Sequence, residues 1–202
     1  MKYDNPVKND IHLHKNMIVT GPNASGKTTI LKTTLINIIV SQQFGCGFYK
    51  SGNLIPYDNI HCYLNIPDTS GRDSLFQAEA RRCKDILDAI EDSDDTHFCV
   101  FDELYSGTNP EEAETSAISF MKYLSNKKNN NVSCMLTTHF TNICNHLSSN
   151  KNIQNCQMET LVESDNKNIQ YKYKLINGIS NVKGGMTILK NMEYPDEIIN
   201  NK

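Results

Sequence analysis

The sequence predicts an α/β fold with a mainly parallel central sheet, helices on both faces and a C-terminal antiparallel hairpin. Three observations carry that expectation. Short apolar runs of strand length, Met17–Thr20, Phe98–Phe101 and Val132–Thr137, alternate with longer segments of helical period. Two alternating segments, Ile153–Glu163 and Ile169–Ile176, flank the polar link Ser164-Asp165-Asn166-Lys167 and read as a hairpin. The chain holds 202 residues without internal repeats, which suits a single domain spanning 1–202.

Taken in order, the first strand runs into a glycine-rich turn, and a helix follows from about Lys27 to Gln42. Leu31, Leu35, Ile38 and Ile39 give it an apolar face. Residues 44–70 are punctuated by Gly, Pro and Asn and hold one strand, near Ile60–Leu64. A second helix is expected from Ser74 to about Ile90, with Phe76, Cys83, Leu87 and Ile90 inward and its charged residues outward. Ser74 and Gln77 have capping-box spacing at its start. The acidic stretch Glu91–Asp95 reads as a solvated loop. After the strand at Phe98, Asn109 can cap a third helix. Pro110 suits its first turn, and Glu111 and Glu112 complement its positive end. Asn126–Asn131 is a polar loop, and a C-terminal helix is expected after Gly184-Gly185.

Composition narrows the function classes. Hydrophobic residues make up 38% and charged residues 21%, as in globular proteins. A net charge of −3 with pI near 6.1, and lysines that form no stripe, argue against DNA binding by these residues alone. The first residues carry no apolar signal region, and the apolar run Leu35–Val40 is far too short to span a bilayer. Seven cysteines without a C-x-x-C pair are expected as reduced structural thiols of an intracellular protein, in cytoplasm or nucleus, rather than a disulfide framework or zinc site.

The chemistry concentrates in three places. Gly21-Pro22-Asn23-Ala24-Ser25-Gly26-Lys27-Thr28 fits G-x-x-x-x-G-K-[ST], the Walker A pattern, between a strand and a helix. Such glycines let backbone N–H groups converge on phosphate oxygens at a helix's positive end. Lys27 would reach the β/γ-phosphates of ATP, the Thr28 hydroxyl would hold Mg²⁺, and Thr29 completes the nucleotide-binding set. Asp102-Glu103 closes a buried strand, at the sheet end where open α/β folds bind ligands. Asp102 would join the Mg²⁺ shell, and Glu103 would orient or deprotonate an attacking water. Small-molecule kinases need no glutamate there, so the pair favours hydrolysis. His139, just past the next buried strand, would face the γ-phosphate from the same sheet edge. The expectation is a P-loop NTPase (ABC/ASCE-type) with Lys27, Glu103 and His139 catalytic.

Several families share these motifs, and the intervening residues choose among them. Asp102-Glu103-Leu104-Tyr105-Ser106-Gly107-Thr108 resembles the D-E-[LI]-x-x-G-T segment of the MutS family of DNA mismatch-repair proteins. Ser70-Gly71-Arg72-Asp73-Ser74-Leu75-Phe76-Gln77-Ala78-Glu79 resembles the family's S-G-R-S-T-F-x-x-E loop, with Asp73 inserted and Leu75 where Thr is usual. Thr137-Thr138-His139-Phe140, the lead-in Asn9-Asp10-Ile11 and the tail from Gly184 to Ile199 also match, so the likeness runs from about Val7 to Ile199.

That resemblance implies an ATPase whose domains pair, as homodimer or heterodimer, so that each site is composite. Ser74 would then reach the γ-phosphate held by the partner, and Ser106, Gly107 and Thr108 would line the interface. DNA would be met only through additional domains or another chain, because the family's mismatch-recognition, connector, lever and clamp regions have no counterpart here. The family's adenine-stacking aromatic precedes the lead-in strand; Tyr3 is its candidate substitute. Two other readings stay open. One is an ABC- or SMC-like ATPase subunit, although no L-S-G-G-Q precedes the carboxylates and no D-E-P follows the strand. The other is an ATP-dependent dimerisation module with little turnover.

Overall fold

The structure, a computed structural model, describes residues 5–64, 74–126, 131–162, 169–182, 184–185, 189–190 and 192–199. Tyr3 and the Ser70–Asp73 part of the sequence motif lie outside these residues, as do parts of the closing motif. Among the described residues the order is β1 (Asn16–Thr20), α1 (Lys27–Phe44), β2 (Asn59–Tyr63), α2 (Leu75–Glu91), β3 (His97–Asp102), α3 (Pro110–Ser125), β4 (Val132–Thr138), α4 (Thr141–Leu147), β5 (Ile153–Val162), β6 (Ile169–Asn177) and α5 (Asp196–Ile199).

The strands form one sheet in the order β2-β3-β4-β1-β5-β6. Pairing is parallel from β2 through to β5, and β6 runs antiparallel to β5. The expected architecture is thus present. Successive strand side chains point to opposite faces, and the two apolar cores follow that alternation. Met17, Val19, Phe98, Val100 and Met135 pack with Ile30, Leu31, Leu35 and Ile38 of α1. Ile18, Cys99, Phe101, Cys134 and Leu136 pack with residues of α2, α3 and α4 on the other face.

The helix starts obey local chemistry. Ser74 and Gln77 form the complete capping box, and the Asn109 side chain accepts from Glu112 N, with Pro110 in the first turn. Four details depart from the sequence expectation. Ile39 is 41% exposed, and Ile30 fills the inward face of α1 in its place. Glu79 does not point outward with the other charges of α2; it is 2% exposed. The seven-residue α4 has no counterpart in the sequence reading, because two turns are too short to establish a period. Several strand and helix ends extend one or two residues further than expected.

All seven cysteines are free thiols, five of them buried. No helix among the described residues is long and apolar enough to cross a membrane.

Candidate functional site

Parallel pairing decides where the site forms. Thr20 lies opposite Thr138 and Asp102 opposite Thr137, so the C-terminal ends of β1, β3 and β4 emerge side by side. The glycine turn, the two carboxylates and His139 therefore meet at one sheet edge, although 118 positions separate Gly21 from His139 in sequence.

The turn from Gly21 to Gly26 is held by a few contacts. Pro22 O accepts from Ser25 N at 3.2 Å and from Lys27 Nζ at 3.3 Å. Ala24 and Gly26 take positive φ, 63° and 99°. At Gly26 a side chain would be strained, and an added Cβ would lie 3.3 Å from the Tyr173 ring. Gly26 is the N-cap of α1 and supplies no side-chain cap, and no acidic residue sits in the first turn. The positive end of an 18-residue helix thus meets the turn without an anionic side chain of its own. Among the described residues, Ser25 Oγ is buried without a hydrogen-bond partner. Helix N–H groups, a buried ammonium and a buried hydroxyl are the donors that phosphate oxygens require, so the residues fit a nucleotide triphosphate tail. Asn23, Ala24 and Thr29 are exposed along this stretch.

Lys27 is 6% exposed, and its Nζ stands 3.9 Å from Glu103 Oε1. Burial pulls its pKa below the usual lysine value, opposed by the charges of Glu103 and Asp102. Thr28 Oγ1 lies 3.0 and 3.2 Å from the two Asp102 carboxylate oxygens and donates to them. Thr137 Oγ1 also donates to Asp102. A hydroxyl and a carboxylate side by side form an oxygen-donor set suited to Mg²⁺.

Glu103 follows with φ 54°, a left-handed value rare for a residue with a side chain, and its N donates to Thr137 O at 3.0 Å. Its Oε1 lies 3.4 Å from His139 Nδ1. The hydrogen bond from His139 is the largest influence holding the Glu103 carboxyl below its ordinary pKa; burial works against it, and the charges of His139 and Lys27 reinforce it.

The residues expected at a subunit interface are placed together elsewhere. Ser74 uses its hydrogen bonds on Gln77, its N donating at 2.8 Å and its Oγ accepting at 3.3 Å. Gly107 is pressed onto the start of α2, where an added Cβ would come within 2.7 Å of Phe76 N. Thr108 Oγ1 donates to Glu112 Oε2 at 2.6 Å. As interface residues, Ser74 and Ser106–Thr108 came in through family likeness, and sequence reasoning missed the Glu79 carboxylate that holds Ser106 and Gly107 against α2. It also missed the support behind the glycine turn. Ser180 N donates to Thr20 Oγ1 at 2.9 Å, and Gly184 packs on Pro22, so the chain after the hairpin backs the site. Neither has a local signal, since both depend on contacts about 160 positions apart.

A mostly parallel sheet, a glycine turn opening its first helix and an acidic pair at the end of β3, one strand away from β1, define a P-loop NTPase domain. Residues 17–202 match the family model described as MutS domain V. The chain belongs to this family, the ATPase domain of MutS-family proteins. It is 28% identical over 195 residues to Endonuclease MutS2 of Staphylococcus epidermidis, covering 92% of this chain and 23% of that protein. Against Endonuclease MutS2 of Streptococcus uberis the identity is 26% over 199 residues, covering 96% and 24%. Against that of Acetivibrio thermocellus it is 29% over 185 residues, covering 91% and 22%. The chain thus spans about a quarter of the length of these curated relatives.

Proposed function

We propose that this domain binds ATP with Mg²⁺ in the turn from Gly21 to Thr29 and hydrolyses it to ADP and phosphate. The observation that carries the reading is one cluster: Thr28 hydrogen-bonded to Asp102, beside Glu103 set between Lys27 and His139. The backbone N–H groups opening α1 bind the phosphates, and Lys27 neutralises their charge from a buried position. Thr28 and Asp102 would hold the magnesium ion, which withdraws charge from the phosphate oxygens when bound. Glu103 orients a water and takes its proton as the water oxygen bonds to the γ-phosphorus and the bond to the ADP oxygen breaks. His139 keeps that carboxylate ionised and aimed.

Family membership supports two further parts of the reading. ATP-bound domains pair, this chain with itself or with a related one, and Ser74, Ser106, Gly107 and Thr108 meet the partner's nucleotide site. Pairing then couples nucleotide state to DNA mismatch repair or a related DNA transaction, with DNA contacted by other segments or another chain.

The test is uptake of labelled ATP with Mg²⁺ by the purified protein and by Lys27→Ala. Saturable binding that the substitution abolishes, together with phosphate release, is the expected result. Absence of binding to the unsubstituted protein ends the proposal.

A further inference from the structure

Glu79 is a buried carboxylate to which the hydrolysis reading gives no task. An ionised carboxylate is costly to bury unless nearby donors satisfy it, and this one is 2% exposed. Its donors come from a single turn. Oε1 accepts from Ser106 N at 3.1 Å and from Ser106 Oγ at 2.9 Å, and Oε2 accepts from Gly107 N at 3.0 Å. Beside them, on β2, the Tyr63 hydroxyl accepts from Tyr105 N at 3.3 Å. Three consecutive backbone N–H groups, those of Tyr105, Ser106 and Gly107, are thereby pinned by one carboxylate and one phenol.

The pinned turn is the one that carries Glu103. Glu103 and Tyr105 both sit at positive φ, 54° and 58°, without the freedom of glycine. Two such residues within three persist only where the surroundings over-determine the backbone. Glu79 and Tyr63 supply that determination from α2 and β2. The same contact reaches the start of α2. Glu79 lies five positions after Ser74, and Gly107 leaves no room for a Cβ against Leu75 and Phe76.

We propose that Glu79, which with Tyr63 holds the turn after Glu103, is a positioning residue that ties the water-activating Glu103 to the N-terminus of α2. A displacement of that helix end, where Ser74 stands, is passed through the carboxylate to the turn and sets whether Glu103 is aimed for hydrolysis. The proposal rests on the ATPase reading above and deepens it, because the face expected to meet a partner would then govern turnover rather than affinity.

Glu79→Gln is the test, since the amide keeps the shape but offers one acceptor where the carboxylate offers two. The expected result is a fall in kcat of about 10- to 100-fold with ATP affinity unchanged. Tyr63→Phe should give a smaller fall in the same sense, and it decides the matter if Glu79→Gln does not fold. Ala117→Gly, in the α3 core away from the site, controls for lost stability and is expected to leave kcat as in the unsubstituted protein. Unchanged kcat in Glu79→Gln, an equal loss in Ala117→Gly, or a parallel loss of ATP affinity would each overturn the inference. Failure of the unsubstituted protein to bind ATP would instead overturn the reading beneath it.

Discussion

Adding one methyl group at Gly107 probes the packing on which the proposed interface depends. The Cβ of alanine would lie 2.7 Å from both Leu75 Cγ and Phe76 N, and 2.9 Å from Leu75 Cβ. Ordinary contact begins at 3.4 Å, so the carbon must gain about 0.7 Å. Leu75 can rotate away, but Phe76 N belongs to a helix start that the Ser74 cap holds in place. The turn itself must lift. Overpacking of this kind costs about 1–3 kcal/mol, a sizeable part of a typical domain stability of about 5–15 kcal/mol. At about 2–4 °C per kcal/mol for a chain of this size, the melting temperature should fall by roughly 2–12 °C. Circular-dichroism melts of Gly107→Ala beside the unsubstituted protein measure it, and phosphate release should slow because the lifted turn carries Glu103. A melt that does not move, with turnover unchanged, refutes the tight seat inferred between this turn and α2.

Three other expectations concern charge, pairing and thiols. Glu103 has its folded pKa depressed below the reference value of 4.5, so its ion pairing contributes stability that is complete above that value and is lost as pH falls through the lower folded value. His139→Ala removes the largest cause, and a carbon-detected titration of the Glu103 carboxyl should show its midpoint rise; an unmoved midpoint would mean that the histidine does not set it. Glu103→Gln should retain ATP without cleaving it and sediment as a dimer with ATP and Mg²⁺, whereas a nucleotide-bound monomer would remove the composite site from the mechanism. In the native protein a thiol reagent should modify Cys46 first. Burial raises the Cys83 thiol to about 11 and those of Cys99 and Cys144 to about 12, so rapid native labelling at any of these contradicts the packing.

Much of the site was legible because its parts are local. A glycine turn between a strand and a helix, an acidic pair ending an apolar run, and a histidine after another apolar run each occupy a few consecutive residues. Each also carries its own reason in backbone freedom, helix polarity or charge. The caps at Ser74 and Asn109 were legible in the same way, since a cap acts across three residues. Residue period likewise indicated strands, helices and the hairpin.

Contacts between distant segments had no such mark. Nothing near Thr137 says that its hydroxyl will meet Asp102, and nothing near Glu79 says that this member of a charged helix will turn inward. The exchange of Ile30 for Ile39 in the α1 core is of the same kind, because the helix's rotation on the sheet is set by the strands beneath it. The sequence by itself therefore determined the fold class, the glycine turn and the candidate site residues beside it, all through short-range steric and hydrogen-bonding preferences. Only the tertiary structure decided the strand order, the side-by-side arrival of β1, β3 and β4, and the buried carboxylate joining the Glu103 turn to α2. Those depend on how packed elements share one core, which no short window of residues encodes.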